Sequence, residues 1–185
     1  MAALEPDRGV WGVHLRMTGQ FQWIEHPSDP CTHTRVRFWN ANGDELRFVD
    51  VRSFGEMWWV PPDVELTVGI PGLSRLGPEP FSEQFSAAYL KRQLKNSSRP
   101  IKTALLDQAL VAGVGNIYAD ESLFSAGIPP LTPAGRLTLA QLERLRSSLV
   151  DVLTASIGAG GTTFSDFRDL EGVNGNYGGQ AWVYR

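Results

Sequence analysis

Near the start of the chain, apolar and polar residues alternate. Val13, Leu15 and Met17 are separated by His14 and Arg16, and the pattern resumes at Phe21 and Trp23 after the turn signal Thr18-Gly19. A period of two sends successive side chains to opposite faces of a strand, so this stretch predicts antiparallel β structure. Val36 and Phe38 alternate with Arg35 and Arg37, Asn42-Gly43 supplies residues that accept positive φ in a tight turn, and Leu46 and Phe48 alternate back. That combination predicts a hairpin. Residues 52–60 predict a further strand, after which Pro61, Pro62, Pro71, Gly72, Gly77, Pro78 and Pro80 break any regular pattern and mark a domain boundary.

Beyond residue 80 the period becomes helical. Ser82 is a candidate cap for a helix that turns Phe85, Ala88, Tyr89 and Leu94 inward. Pro100 suits the first turn of a helix carrying Ile101, Ala104, Leu105 and Leu110, which stops at Val111-Ala112-Gly113-Val114-Gly115. A short helix follows from Asn116 through Ile117, Leu123 and Phe124, with Gly127 as its stop. Thr138 and Gln141 form a capping box ahead of Leu142, Leu145, Leu149, Val152, Leu153 and Ile157. After Gly158 the chain is rich in glycine and predicts a loop, then a strand over 181–184. The expected fold class is α+β: a partial antiparallel β-sandwich over residues 1–70, a linker over 71–80, and an all-helical domain with a glycine-rich loop over 81–185.

Composition narrows this picture. With 185 residues and 42% hydrophobic content the chain can bury one sizeable core or two modest ones. No apolar run approaches the roughly 20 residues that span a bilayer. Residues 1–10 carry Glu5, Asp7 and Arg8 without an apolar signal core, so the expected location is cytoplasmic, with no membrane partner. Cys31 is the single cysteine, which excludes a disulfide framework and a four-cysteine zinc site within this chain. Cys31 with His26 and His33 is interrupted by Pro27 and Pro30 and fits no compact zinc spacing, so no metal ligands are assigned. A net charge of −3 argues mildly against nucleic acid, yet residues 89–106 hold Lys91, Arg92, Lys95, Arg99 and Lys102 without one acidic residue. Such a stripe is either a solvated helix face or a track for phosphate.

The turn Gly113-Val114-Gly115 sets the backbone N–H groups of Gly115, Asn116 and Ile117 at a helix N-terminus, where they lack intrahelical partners and carry the positive end of the dipole. Such an end takes phosphate readily. With Lys102 one helix earlier, a nucleic-acid backbone can be held without its sequence being read, although glycine-rich turns between helices are commonly structural. The full string is more specific. Lys102-Thr103-Ala104-Leu105-Leu106-Asp107-Gln108 with Gly113-Val114-Gly115-Asn116-Ile117-Tyr118-Ala119-Asp120-Glu121-Ser122-Leu123-Phe124 closely resembles the helix-two-turns-helix signature of the formamidopyrimidine-DNA glycosylase and endonuclease VIII family. The resemblance extends to His14-Leu15-Arg16-Met17-Thr18-Gly19, Asp50-Val51-Arg52-Ser53-Phe54-Gly55, Leu76-Gly77-Pro78-Glu79-Pro80, Gly160-Gly161-Thr162-Thr163 and Val183-Tyr184-Arg185, in family order.

What the resemblance implies is a repair enzyme. A glycosylase extrudes its target nucleotide and leaves a hole in the duplex. The family fills that hole with a methionine, an arginine and a phenylalanine, which match Met17, Arg52 and Phe54. Their strand patterns alone would put Met17 and Phe54 in the core; the resemblance moves them to the DNA. Arg52 and Phe54 stand together in an Asp-x-Arg-x-Phe-Gly pattern that favours the oxidised-purine branch, hence 8-oxoguanine and formamidopyrimidines. The resemblance assigns phosphate contacts to His14, Lys102, Gly115, Asn116 and Tyr184, and a damaged-base loop over 158–177 to Thr162, Thr163 and Tyr177.

Catalysis in the family uses an N-terminal proline amine and an adjacent glutamate. This chain reads Met1-Ala2-Ala3-Leu4-Glu5-Pro6, and the internal imide nitrogen of Pro6 has no lone pair for attack, so no catalytic residue is assigned. A family lysine that meets phosphate and a four-cysteine zinc finger likewise find no match. No cofactor is therefore expected in this chain, although the family binds one structural zinc. Arg185 ends the chain directly after the last expected strand, without a polar tail or stop signal, which reads as an incomplete frame. The expected partner is double-stranded DNA with oxidised purines or abasic sites, bound by a monomer that has no activity of its own. Two other readings are a non-catalytic module that recognises damaged duplex, and an RNA-binding protein, since helix-two-turns-helix units also occur in a ribosomal protein. The set Met17, Arg52 and Phe54 argues against the second.

Overall fold

The computed structural model describes residues 9–163 and 168–184, which group by contact into two compact units, Met1–Ser74 with Gly160–Asn176 and Arg75–Ala159 with Tyr177–Arg185. The expected glycine-rich segment thus packs with the first unit: Trp23 N–H donates to Leu170 O at 2.9 Å, and Thr162 bridges Asn176. Phe164, Ser165, Asp166, Phe167 and Arg185 lie outside the described residues, as does the Met1-to-Pro6 stretch.

The first unit holds two antiparallel sheets. Strand β1 (Val10–His14) pairs with β5 (Glu56–Val60), Val10 opposite Val60 and His14 opposite Glu56. Strands β2 (Gly19–Ile24), β3 (Thr34–Trp39) and β4 (Glu45–Asp50) form the other sheet in the order β2-β4-β3. The β3–β4 hairpin follows the alternation and its turn residues: Gly43 takes φ of 88°, and the Asn40 side-chain oxygen accepts from the N–H groups of Asn42 and Asp44 at 2.9 Å each. Aromatic rings fill the sheet interior, Trp11 lying 5.6 Å from Phe21 and 4.5 Å from Phe38, with Phe21 5.1 Å from Phe48. Glu45 is wholly buried between Arg37 and Arg47, whose Nε atoms donate to its Oε1 at 2.8 and 2.6 Å.

Two strands come out shorter than their alternation predicts. Strand β1 ends at His14 because Arg16 takes φ of 56° and Gly19 N–H closes back on Leu15 O at 3.0 Å. The chain thereby leaves the β1–β5 sheet and enters the other one, so β1 does not pair with β2. Residues 52–55 are a loop wrapped around Asp50, and β5 begins only at Glu56. The proline-rich connection contains one four-residue helix, α1 (Leu66–Gly69).

The second unit contains α2 (Ala87–Gln93), α3 (Ile101–Leu105), α4 (Asn116–Ser125) and α5 (Leu139–Gly158). Leu90, Leu94, Ile101, Leu105, Leu123, Leu142, Leu145 and Leu149 are fully buried in one core. The capping box of α5 forms as the sequence predicts: Gln141 N–H donates to Thr138 Oγ1 at 3.2 Å, and Thr138 N–H to Gln141 Oε1 at 2.9 Å. Helix α2 is capped by Ser86, which accepts from Tyr89 N–H at 3.2 Å, and not by Ser82, which turns back onto Glu79 O. The later cap leaves Phe85 just ahead of it and Leu90 in the first turn, both buried in the same core in the manner of a hydrophobic staple. Helix α3 stops at Leu105, because Asp107 takes over the following turn by accepting from Ala109 N–H at 3.0 Å. Residues 181–184 form no strand: the N–H groups of Trp182, Val183 and Tyr184 all donate to the buried Glu121 carboxylate, at 2.8, 2.8 and 2.9 Å.

Candidate nucleic-acid interface

The three residues expected to fill a void sit on two loops of the first unit, and a buried carboxylate ties those loops together. Asp50, at the end of β4, is 1% exposed. It accepts from the Thr18 hydroxyl on the first loop, and from Arg52 N–H at 3.2 Å and Gly55 N–H at 2.7 Å on the second. Burial pushes the Asp50 carboxyl up, but the Thr18 hydrogen bond and those from the main chain of Gly55, Arg52 and Ser53 outweigh it and hold it below the usual carboxylate range. Gly19 and Gly55 let both loops close over the ring of Phe48. A Cβ at Gly19 would stand 2.9 Å, and one at Gly55 2.6 Å, from Phe48 Cζ. Ser53 turns the second loop at φ of 57°.

The two loops present exposed apolar side chains and one guanidinium. Met17 is 73% and Phe54 60% exposed, and Leu15 and Val51 beside them are exposed as well. The Arg52 guanidinium lies 3.4 Å from Met17 Sδ, so two of the three residues touch. An exposed methionine and phenylalanine on loops tied to one carboxylate offer apolar surface to a partner. His14, at the base of the first loop, accepts the Arg16 N–H at Nδ1, 3.1 Å away, which places the proton of the neutral ring on Nε2 as a donor. Arg16 itself pairs with Glu56 at 2.8 Å.

The remaining phosphate candidates belong to the second unit. Gly115 caps α4 in extended backbone and, lacking a side chain, makes no cap hydrogen bond of its own; Gly115 and Asn116 are exposed. The turn before them is held by Gln108, whose Oε1 accepts from Gly113 N–H at 2.8 Å and whose Nε2 donates to Val114 O at 3.0 Å. Lys102 is engaged: its Nζ donates to Asp120 Oδ2 at 2.7 Å, and Tyr184 donates its hydroxyl to the same oxygen at 3.0 Å. The hydrogen bond to Asp120 raises the Lys102 ammonium above its ordinary value, while burial and then the Asp120 acceptor raise the Tyr184 phenol.

The three residues matched to the damaged-base loop fall in different units. Thr162 and Thr163 lie in the first unit, where Gly175 N–H donates to Thr163 Oγ1 at 2.9 Å. Tyr177 belongs to the second unit, is 3% exposed, and packs 6.0 Å from the ring of Tyr118. The sequence reading gave no role to Asp50, Gln108, Asp120 or Glu121. All four stand inside the quoted motifs, and the signal available was a carboxylate or amide amid apolar neighbours. A four-thiolate zinc site does not fit this chain, which has one cysteine, Cys31, exposed. Among the described residues no group of three or more His, Cys, Asp or Glu side chains is placed to hold a metal ion.

Residues 76–168 match the formamidopyrimidine-DNA glycosylase H2TH domain, and residues 2–57 the formamidopyrimidine-DNA glycosylase N-terminal domain. The chain is 95% identical over 185 residues to the formamidopyrimidine-DNA glycosylase of Parasynechococcus marenigrum (strain WH8102), covering all of this chain and 66% of that relative. Among solved structures it is similar to the MutM (Fpg) protein of Thermus thermophilus, with a TM-score of 0.83 and 42% identity over 94% of this chain and 63% of that one. It is also similar to Lactococcus lactis Fpg (MutM) in complex with a Fapy-dG-containing DNA, with a TM-score of 0.81 and 30% identity over 94% of this chain and 62% of that one. With both domain models matched in order along it, this chain belongs to the formamidopyrimidine-DNA glycosylase family.

Proposed function

We propose that this chain is the lesion-opening and backbone-binding part of a base-excision repair glycosylase, one that removes oxidised purines such as 8-oxoguanine and formamidopyrimidines from duplex DNA and cleaves the resulting abasic site by β-elimination. The observation that carries the reading is the exposed set of Met17, Arg52 and Phe54 on loops fixed by Asp50. A flexible thioether fills irregular space, an aromatic ring wedges between base pairs, and a guanidinium donates to the Watson-Crick edge of the orphaned cytosine. The relative bound to Fapy-dG-containing DNA supports the same substrate class. His14, Lys102, Gly115, Asn116 and Tyr184 hold phosphates, and Thr162 and Thr163 stand beside the extruded base. Tyr177, matched to the same loop, is buried. The site of action is the bacterial cytosol, where the chromosome lies; among the described residues no helix is long and apolar enough to cross a membrane.

The test is binding. The chain should prefer a duplex with an abasic site opposite cytosine over the same duplex fully paired, and equal affinity for both would contradict the reading. The chemistry is tested separately by borohydride trapping on 8-oxoguanine duplex. A polypeptide of these 185 residues offers no match to the family's attacking proline amine, so no covalent adduct should form. An adduct above the blank would show that another amine substitutes.

A further inference from the structure

The Lys102 ammonium, expected to meet a phosphate, already has a carboxylate at 2.7 Å. Asp120 lies four residues after Asn116 on α4 and therefore on the same helix face as that exposed side chain. Its side chain is 15% exposed and that of Lys102 30%, so the pair is sheltered more than a surface ion pair while the ammonium still reaches water. The Tyr184 hydroxyl donates to the same Oδ2 at 3.0 Å, and Tyr184 is itself held by its N–H on Glu121 Oε1. One carboxylate thus gathers two of the five residues expected to meet phosphate.

We infer that Asp120 is a positioning residue for the phosphate contact, aiming the Lys102 ammonium at the DNA backbone while cancelling its charge, and that the Tyr184 hydroxyl, whose single proton goes to the same oxygen, fixes the carboxylate. The inference rests on the reading of this chain as a DNA-binding protein. An ammonium has three donors, so one bond to Asp120 leaves two for a phosphate. Holding the long, flexible lysine in place removes rotamer freedom that binding would otherwise have to remove. The cancelled charge has the opposite effect on undamaged DNA. Salt-dependent attraction scales with the net positive charge brought to the backbone, and a lysine shared with a carboxylate brings much less than one. A repair protein that must leave intact duplex in order to search is served by a contact that depends on geometry more than on charge.

The affinity of the chain for an undamaged duplex, measured from about 50 to 200 mM salt, tests this through the slope of log K against log salt, where each fully neutralised phosphate contributes roughly −0.9. Removing both charges together, with Lys102→Ala and Asp120→Asn, should leave the slope close to the wild-type value. Asp120→Asn keeps the shape and the acceptor oxygen but removes the charge. It should steepen the slope by up to about 0.9, and adding Lys102→Ala to it should cancel the gain. Asp120→Glu should keep the shallow slope. A merely structural Asp120 would show weaker binding by Asp120→Asn with an unchanged slope, and that result overturns the inference. So does a double variant whose slope is flatter than that of the wild type by about 0.9. A wild-type chain that binds no duplex overturns the DNA-binding reading itself, and the inference with it.

Discussion

At the scale of single residues, two buried carboxylates have unlike jobs. Asp50 accepts from a hydroxyl and from backbone N–H groups on two loops. Asp50→Ala takes the acceptor from the half-buried Thr18 hydroxyl and Gly55 N–H and leaves the Arg52 N–H only Thr18 Oγ1, a loss of about 1 kcal/mol for each hydrogen bond not replaced by water. The expected outcome is a lower unfolding temperature together with loss of preference for abasic DNA, because Met17 and Arg52 no longer share a frame. Glu45 instead balances Arg37 and Arg47, whose hydrogen bonds hold its carboxyl down to about 2 against an ordinary 4.5. A depressed folded pKa contributes stability above the unfolded value, lost as pH falls toward the folded one. Thermal stability should therefore drop as pH goes from about 4.5 to 2, and less steeply for Glu45→Gln, with a residual slope from Asp50 and Asp107, whose carboxyls are also held down. An identical pH profile for wild type and variant would contradict the assignment. Met17 and Phe54 show the limit of reading residues alone. Alternation marks them as core, and only the motif around them marks them as exposed. Asp50 was harder still, since its partner Thr18 is 32 residues away and only folding brings them together.

At the scale of elements, what was legible was whatever local chemistry decides. The Asn42-Gly43 hairpin and the capping box of α5 needed no distant partner, and both formed as the sequence predicts. Thr138→Ala should cost about 1 kcal/mol of stability and leave DNA affinity unchanged, which calorimetry and binding on the same preparation will check. Elements decided by distant groups depart from their local pattern. Residues 181–184 carry a strand-like pattern, but Glu121 on α4 takes the N–H groups that a ladder would need. Helix α3 has apolar spacing out to Leu110, yet Asp107 offers the backbone a competing turn, and Leu110 is buried from that turn instead. The cap of α2 falls at Ser86 and not at Ser82 because the position of Phe85 in the core decides between two adequate serines.

At the scale of the whole molecule, the chain spans 66% of the length of its Parasynechococcus marenigrum relative and contains two units, one presenting the Met17, Arg52 and Phe54 loops and the other the Gly115-to-Asn116 helix end. The central claim is that the first of these enters the duplex. Affinity of the wild type and of Arg52→Ala, each first shown to unfold cooperatively, is to be measured on a duplex with an abasic site opposite cytosine and on the same duplex fully paired. If Arg52 donates to the orphaned cytosine, the variant loses about 1 to 3 kcal/mol on the abasic duplex and little on the paired one. An equal loss on both would make Arg52 a phosphate ligand, and would contradict the account for Met17 and Phe54 as well.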